Sequence, residues 1–521
     1  MNKSILVFVA PFLLSAGIAR AQVLTSQYNN ARSSATLAET TLTPQNVDAA
    51  RFGKVFTFKV DGDVYAQPLY MPRVEIPGKG RHNVVFVATE HNSVYAFDAE
   101  GKPAEPLWHV SFLANGVTPV PDRDVGCPFI SPEIGITPTP VIDAGSGTLY
   151  VLARTKEAQG FFSSSRYVQK LHALAVTTGV EKFGGPVEIQ ASVPGKGAGS
   201  SNGSIGFDPL KELPRAGLLL TGGQVYMTWA SSCDVAPYHG WVMAYDSRTL
   251  RQTAVFNTSP DGNESGIWQS DMAPASDDAG NIYVATGNGA FDAATGGRNY
   301  GDSLLKLHLD GNSLAVRGLF TPTNQATMNS RDLDLGSGGP VLVPLAGGRH
   351  LAVVAGKDGR IQVLDSDYLE KGAVQVLPAG RGVYAAAAYW NGHVFISASE
   401  DELHDFALVN GQLSDRPVAS GTQRFANPGA TPVVSTNGTG NAIVWLIETK
   451  VWNDYTPTKH SVLHAYDAAN IAREIYNSGQ NSERDRAGPA VRFTIPTVAN
   501  GRVYIGTKGE VDVYGLLGAN R

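Results

Sequence analysis

Cysteine is scarce in this chain, which has only Cys127 and Cys233 in 521 residues. No C-x-x-C-H occurs, so no haem is covalently attached, and any electrons handled here leave to a separate acceptor. Charged residues are also few, at 17%. No helical period is sustained over about 15 residues, and only Asn470 to Glu474 suggests a single helical turn. The histidines are scattered singly without metal-ligand spacing; His91 and His239 read as loop hydrogen-bonders. No G-x-S-x-G elbow is present. The glycine-rich run Gly195 to Gly203 lacks the strand and helix that a phosphate cradle needs. What the chain has in abundance is glycine and proline, 57 and 30 residues, the punctuation of many short strands.

Those strands repeat. A short apolar strand, a small-residue turn and a second apolar strand appear first as Val84 to Thr89 followed by Ser93 to Asp98. Later copies begin at Thr148 and Lys170, at Gln224 and Gly240, at Asn281 and Ser303, and at His350 and Arg360. Three more begin at His393 and Leu403, at Ala442 and Ser461, and at Arg502 and Val511. Eight copies at intervals of roughly 40 to 75 residues indicate radial repetition, in which each small sheet buries its faces only against its neighbours. The expected fold is all-β, an eight-bladed β-propeller of four-stranded antiparallel blades. Seven blades are the alternative if the degenerate copy at Gly392 to Leu408 is irregular.

Residues 1 to 21 read as a secretory signal peptide. Lys3 supplies the positive start, Ile5 to Ala16 the apolar run, and Ala19-Arg20-Ala21 the cleavage site. The run is too short for a permanent membrane span. No cysteine follows the cleavage site, so the expected product is not a lipoprotein. The mature chain, 22–521, reads as a single propeller domain, secreted or periplasmic. Losing Lys3 and Arg20 takes the basic count from 41 to 39 against 47 acids, a net charge of −8. That balance argues against nucleic acid and anionic membranes as partners.

The two ends predict how the ring closes. The last copy stops at Leu517 without an outer strand, while Lys54 to Val60 is an orphan strand near the N-terminus. Pairing it beside Val511 to Leu516 completes the last blade and removes an open edge. If each blade runs from its inner to its outer strand, loops between the second and third strands share a face with the connections between blades. The former hold Asp234, Asn288, Lys357, Glu400, Asp401 and Lys508; the latter hold Cys127, Trp268, Asp332, Asp334 and Ser337. A central pocket with mixed charges is expected there.

Three N-terminal stretches are Tyr28-Asn29-Asn30-Ala31-Arg32-Ser33-Ser34, Leu42-Thr43-Pro44-Gln45-Asn46-Val47 and Tyr65-Ala66-Gln67-Pro68-Leu69. Together with the Y-A-F-D-A pattern of the blades, they resemble the pyrroloquinoline quinone (PQQ) dehydrogenases. The resemblance spans nearly all of 22–521 and is closest to the PQQ-repeat proteins of environmental bacteria. It implies a site. Asn288, in Thr286-Gly287-Asn288-Gly289, matches a calcium ligand of that family, and Trp268 matches the tryptophan that stacks on the quinone, with two extra residues between them. Asp334, in Asp332-Leu333-Asp334, matches the catalytic aspartate and a metal contact, and Lys357 matches a basic residue that touches the quinone.

The departures matter too. The family's calcium glutamate has only Asp234 as a counterpart, one residue out of register and with a shorter arm. The family's two adjacent, mutually bonded cysteines are missing. Cys127 and Cys233 lie in loops of one face instead, and in a secreted protein they are expected to pair. The implied activity is oxidation of a small alcohol or sugar with PQQ and calcium. It needs a carboxylate to take the hydroxyl proton, a divalent cation to polarise the quinone carbonyl, and a positive charge to stabilise the reduced quinone. The competing expectation is a cofactor-free propeller that binds a polymer or protein at its mouth, with asparagine and glycine serving only as turn formers.

Overall fold

A computed structural model describes residues 21–159, 164–450 and 459–518. The leader expected at 1–21 lies outside these residues except for Ala21. Eight antiparallel sheets form the blades of a propeller. Blade one is Leu69–Ile76, Gly80–Ala88, Ser93–Asp98 and Trp108–Ser111, from inner to outer strand. Its middle strands are buried on both faces from Val84 to Ala88 and from Ser93 to Asp98. That double burial is why the repeats read as unbroken apolar runs rather than alternating ones.

The copy at Gly392 to Leu408 forms a full blade, with His393–Ser397 paired to Asp401–Val409. Blade six also includes Ala388–Trp390 inside and Ala419–Phe425 outside, which removes the seven-blade alternative. Blade eight is closed from the N-terminus. Phe52–Lys59 pairs with Glu510–Leu516, Lys54 opposite Tyr514 and Phe58 opposite Val511. Aromatic packing stitches this strand to both neighbours. Phe52 lies 5.5 Å from Trp445 of blade seven, and Phe58 stacks at 4.3 Å on Phe97 of blade one. The helical turn expected at Asn470 to Glu474 is a non-helical turn closed by Arg473 N–H on the Asn470 carbonyl, and Glu474 opens an outer strand.

The segment before the closing strand forms a strap around the inner edges of the blades. Val23 exchanges two backbone hydrogen bonds with Tyr70, and Ile142 N–H donates to the Leu24 carbonyl. Asn30 Nδ2 donates to Leu220, while Ser276, Leu342, Tyr389 and Val434 donate to the carbonyls of Asn30, Ala31, Ser33 and Ser34. Glu39 Oε2 accepts from Gly501 N–H. Blades one to eight are thus met in order. Ala35–Thr36 adds a short parallel strand to blade seven. Arg32 is fully buried within the strap and donates to the carbonyls of Pro274 and Ser26 and to Thr25 Oγ1.

Candidate functional site

A cavity of about 910 Å³, open mouth included, lies where the inter-blade connections and the turns after the second strands converge. Its lining includes Cys127, Cys233, Asp234, Trp268, Asp332, Asp334, Ser337 and Lys357. Glycines make the approach possible. A Cβ at Gly287 would strike Asp334 Oδ1, and one at Gly356 would strike the Asp334 backbone carbonyl. The glycines of T-G-N-G and A-G-K-D-G therefore let two blade turns close on the Asp334 loop. Asn288 N–H donates to Asp334 Oδ1 at 2.7 Å, and Lys357 N–H donates to the Asp334 carbonyl at 2.9 Å.

Lys357 Nζ lies 2.5 Å from Asp334 Oδ2 and 2.8 Å from Asp332 Oδ1. Burial works against its charge, but Asp334 and Asp332 prevail and hold the lysine above its ordinary value. Asn288 Nδ2 donates to Asp332, and the buried Asn288 Oδ1 has no hydrogen-bond partner. Asp234 accepts from the Tyr238 hydroxyl at 2.7 Å. Burial pushes its carboxyl up against the lowering effect of that bond, and the charge of Asp334 adds to the rise. Tyr238 in turn meets Trp268 edge-on at 6.2 Å. Asp302 accepts from Leu335 N–H beneath the Asp334 loop, and burial followed by the charge of Asp334 pushes it up to about 8.

Cys127 and Cys233 form a disulfide with a Cα separation of 5.6 Å, and both line this cavity. The same lining has features that the sequence reading missed. Arg215 lies over the Phe493 ring at 4.8 Å, and Arg492 over Phe129 at 4.9 Å. Arg215 Nε is 3.6 Å from Asp271 Oδ1. Neither oxygen of the buried Asp271 has a hydrogen bond, and burial raises this acid to about 7. Gln269, Ser270 and Asp271 all adopt left-handed backbone angles directly after Trp268, a strained run of the kind found at functional sites. Neither arginine belongs to a repeat position or motif, so only the fold could bring them here. Conversely, Lys508, expected at the same mouth, lines a separate cavity with Asp61, Asp63, Glu90 and Glu133.

The residues fit an anionic planar cofactor with a hard cation. Lys357, Arg215 and Arg492 supply positive charge around the cavity, Trp268 and the disulfide supply apolar walls, and beside Asp334 the buried Asn288 Oδ1 has no hydrogen-bond partner. As folded, Lys357 rather than a tight oxygen cage lies between Asp332 and Asp334.

No protein-family profile matches the chain, and no curated protein matches it in sequence. Solved structures do match. The europium-containing methanol dehydrogenase superposes with a TM-score of 0.63 at 12% identity, over 95% of this chain and 98% of that one. The quinohemoprotein alcohol dehydrogenase ADHIIG from Pseudomonas putida HK5 gives 0.62 at 14% identity, over 96% and 81%. The chain shares the β-propeller fold of these two dehydrogenases. BamB from Moraxella catarrhalis gives a TM-score of 0.48 at 14% identity, over 89% of this chain and 99% of that one. At these identities the likeness concerns the fold.

Proposed function

We propose that the protein is a PQQ-dependent dehydrogenase of small alcohols or sugars, working outside the cytoplasm after cleavage at Ala21. One observation carries the reading: Trp268, Asp334, Lys357 and Asp234 line a single cavity, and Asn288 is bonded to Asp334 beside it. When bound, the quinone would accept two electrons and a calcium ion would polarise its reactive carbonyl. Asn288 Oδ1, Asp234 and Asp334 are the oxygen donors that would hold the ion. The Asp334 carboxylate takes the proton of the substrate hydroxyl, its lone pairs being aimed by Asn288 N–H and Lys357. Lys357 supplies the positive charge that favours reduction, and Trp268 with the disulfide confines a flat ring. The Cys127 to Cys233 bond supports an oxidising compartment.

The test is dye reduction by purified protein supplied with PQQ and calcium, over a panel of primary alcohols and aldoses. Turnover of at least one substrate supports the proposal. Its absence across the panel, in a folded protein that retains quinone, contradicts the dehydrogenase reading.

A further inference from the structure

The start of the third strand of blade six, Asp401–Val409, gathers ligand atoms away from the central cavity. Asp401, Glu402 and His404 each present one such atom, and the three lie within 4.8 Å of one another. No other group of this kind occurs among the described residues. In a regular strand Asp401 and Glu402 would point to opposite faces. Here the register slips between Glu402, opposite Arg424, and His404, opposite Ser420. The extra residues, 421–423, lie on the outer strand opposite residue 403 alone, so Glu402 and His404, two apart, share a face, and Asp401 reaches His404 from the first position of the strand.

The surroundings prepare the group. His404 Nδ1 bonds Ser420 Oγ at 2.8 Å, which orients the ring and leaves Nε2 3.4 Å from Asp401 Oδ2. A hydrogen bond to the second ring nitrogen is how proteins orient a metal-binding imidazole. Gly380 makes room for the carboxylate, because a Cβ there would strike Asp401 Oδ2. Arg424 approaches Glu402 only to 3.5 Å and is largely exposed, so that pair is weak competition for a bound ion.

We propose that Asp401, Glu402 and His404 bind one divalent cation of the zinc class, with an open position left to water. One imidazole nitrogen with two carboxylate oxygens suits such an ion better than the all-oxygen shell that calcium takes. The ion is independent of the quinone. It fixes the turn whose Glu400 lines a groove shared with Lys357 and Asp332.

Zinc titration calorimetry on chelator-treated protein tests this. Wild type takes up one zinc per chain at this site. His404→Ala and Asp401→Asn each weaken that uptake at least ~10-fold, while Asp234→Asn leaves it unchanged. Zinc raises the melting temperature of wild type and not of His404→Ala, whose melt in chelator matches wild type. Ser420→Ala keeps every ligand and loses a smaller part of the affinity. No zinc uptake by wild type, uptake undiminished in His404→Ala, or a preference for calcium over zinc that His404→Ala abolishes overturns the proposal.

Discussion

Asp334 is held at its carboxylate by Asn288 N–H and Lys357 Nζ and at its carbonyl by Lys357 N–H and Ser337 Oγ, and only its carboxylate can serve as a base. Asp334→Asn keeps the shape of the site and removes the proton acceptor. Turnover is expected to fall at least ~100-fold with quinone affinity largely retained, as steady-state dye reduction and quinone binding would show. Equal activity in the variant would exclude Asp334 as the base. Asp302 makes a pH prediction. Its folded value is raised to about 8, so between the ordinary carboxylate range and pH 8 the folded state holds a proton that the unfolded chain has lost. Its contribution is therefore complete at low pH and is lost as pH rises through that window. Melting temperature should fall from pH 5 to 9, and less steeply in Asp302→Asn. At this scale the sequence was legible where a residue sat at a fixed place in a repeat, as Asn288 and Lys357 do. Arg215 and Arg492 were not legible, because they lie between repeats and meet the cavity only through tertiary folding.

Among the elements, the closing strand could be read from its missing partner: a final copy without an outer strand and an orphan strand near the start. The strap could not. Tyr28 to Ser34 drew notice through resemblance alone, since its contacts to the blades run mostly through backbone groups that leave no apolar pattern. Arg32 anchors it with buried charged hydrogen bonds. Arg32→Ala would leave the Pro274 and Ser26 carbonyls without that donor and is expected to cost at least ~2 kcal/mol in denaturant unfolding. The disulfide joins two connections 106 residues apart. In the chain-entropy model it stabilises by up to about 4 kcal/mol. Cys127→Ala/Cys233→Ala should unfold at lower denaturant, and the unreduced wild type should show no reactive thiol when denatured. Two reactive thiols per chain would contradict the pairing.

The whole molecule is a ring of eight sheets whose strap lines the inner edge and whose candidate site faces the mouth. The blade count was legible because each blade repeats the same phrase, and the bulged sixth copy blurred it only in sequence. The proposed chemistry at the mouth would depend on a bound quinone. Titrating PQQ with calcium into the purified protein, followed by tryptophan fluorescence, tests it most directly. The account predicts saturation at one quinone per chain, quenching that is strongly reduced in Trp268→Ala, and weaker binding in Lys357→Ala. A wild-type protein that retains no quinone would contradict it, and the mouth would then be read as a binding surface for a polymer or protein.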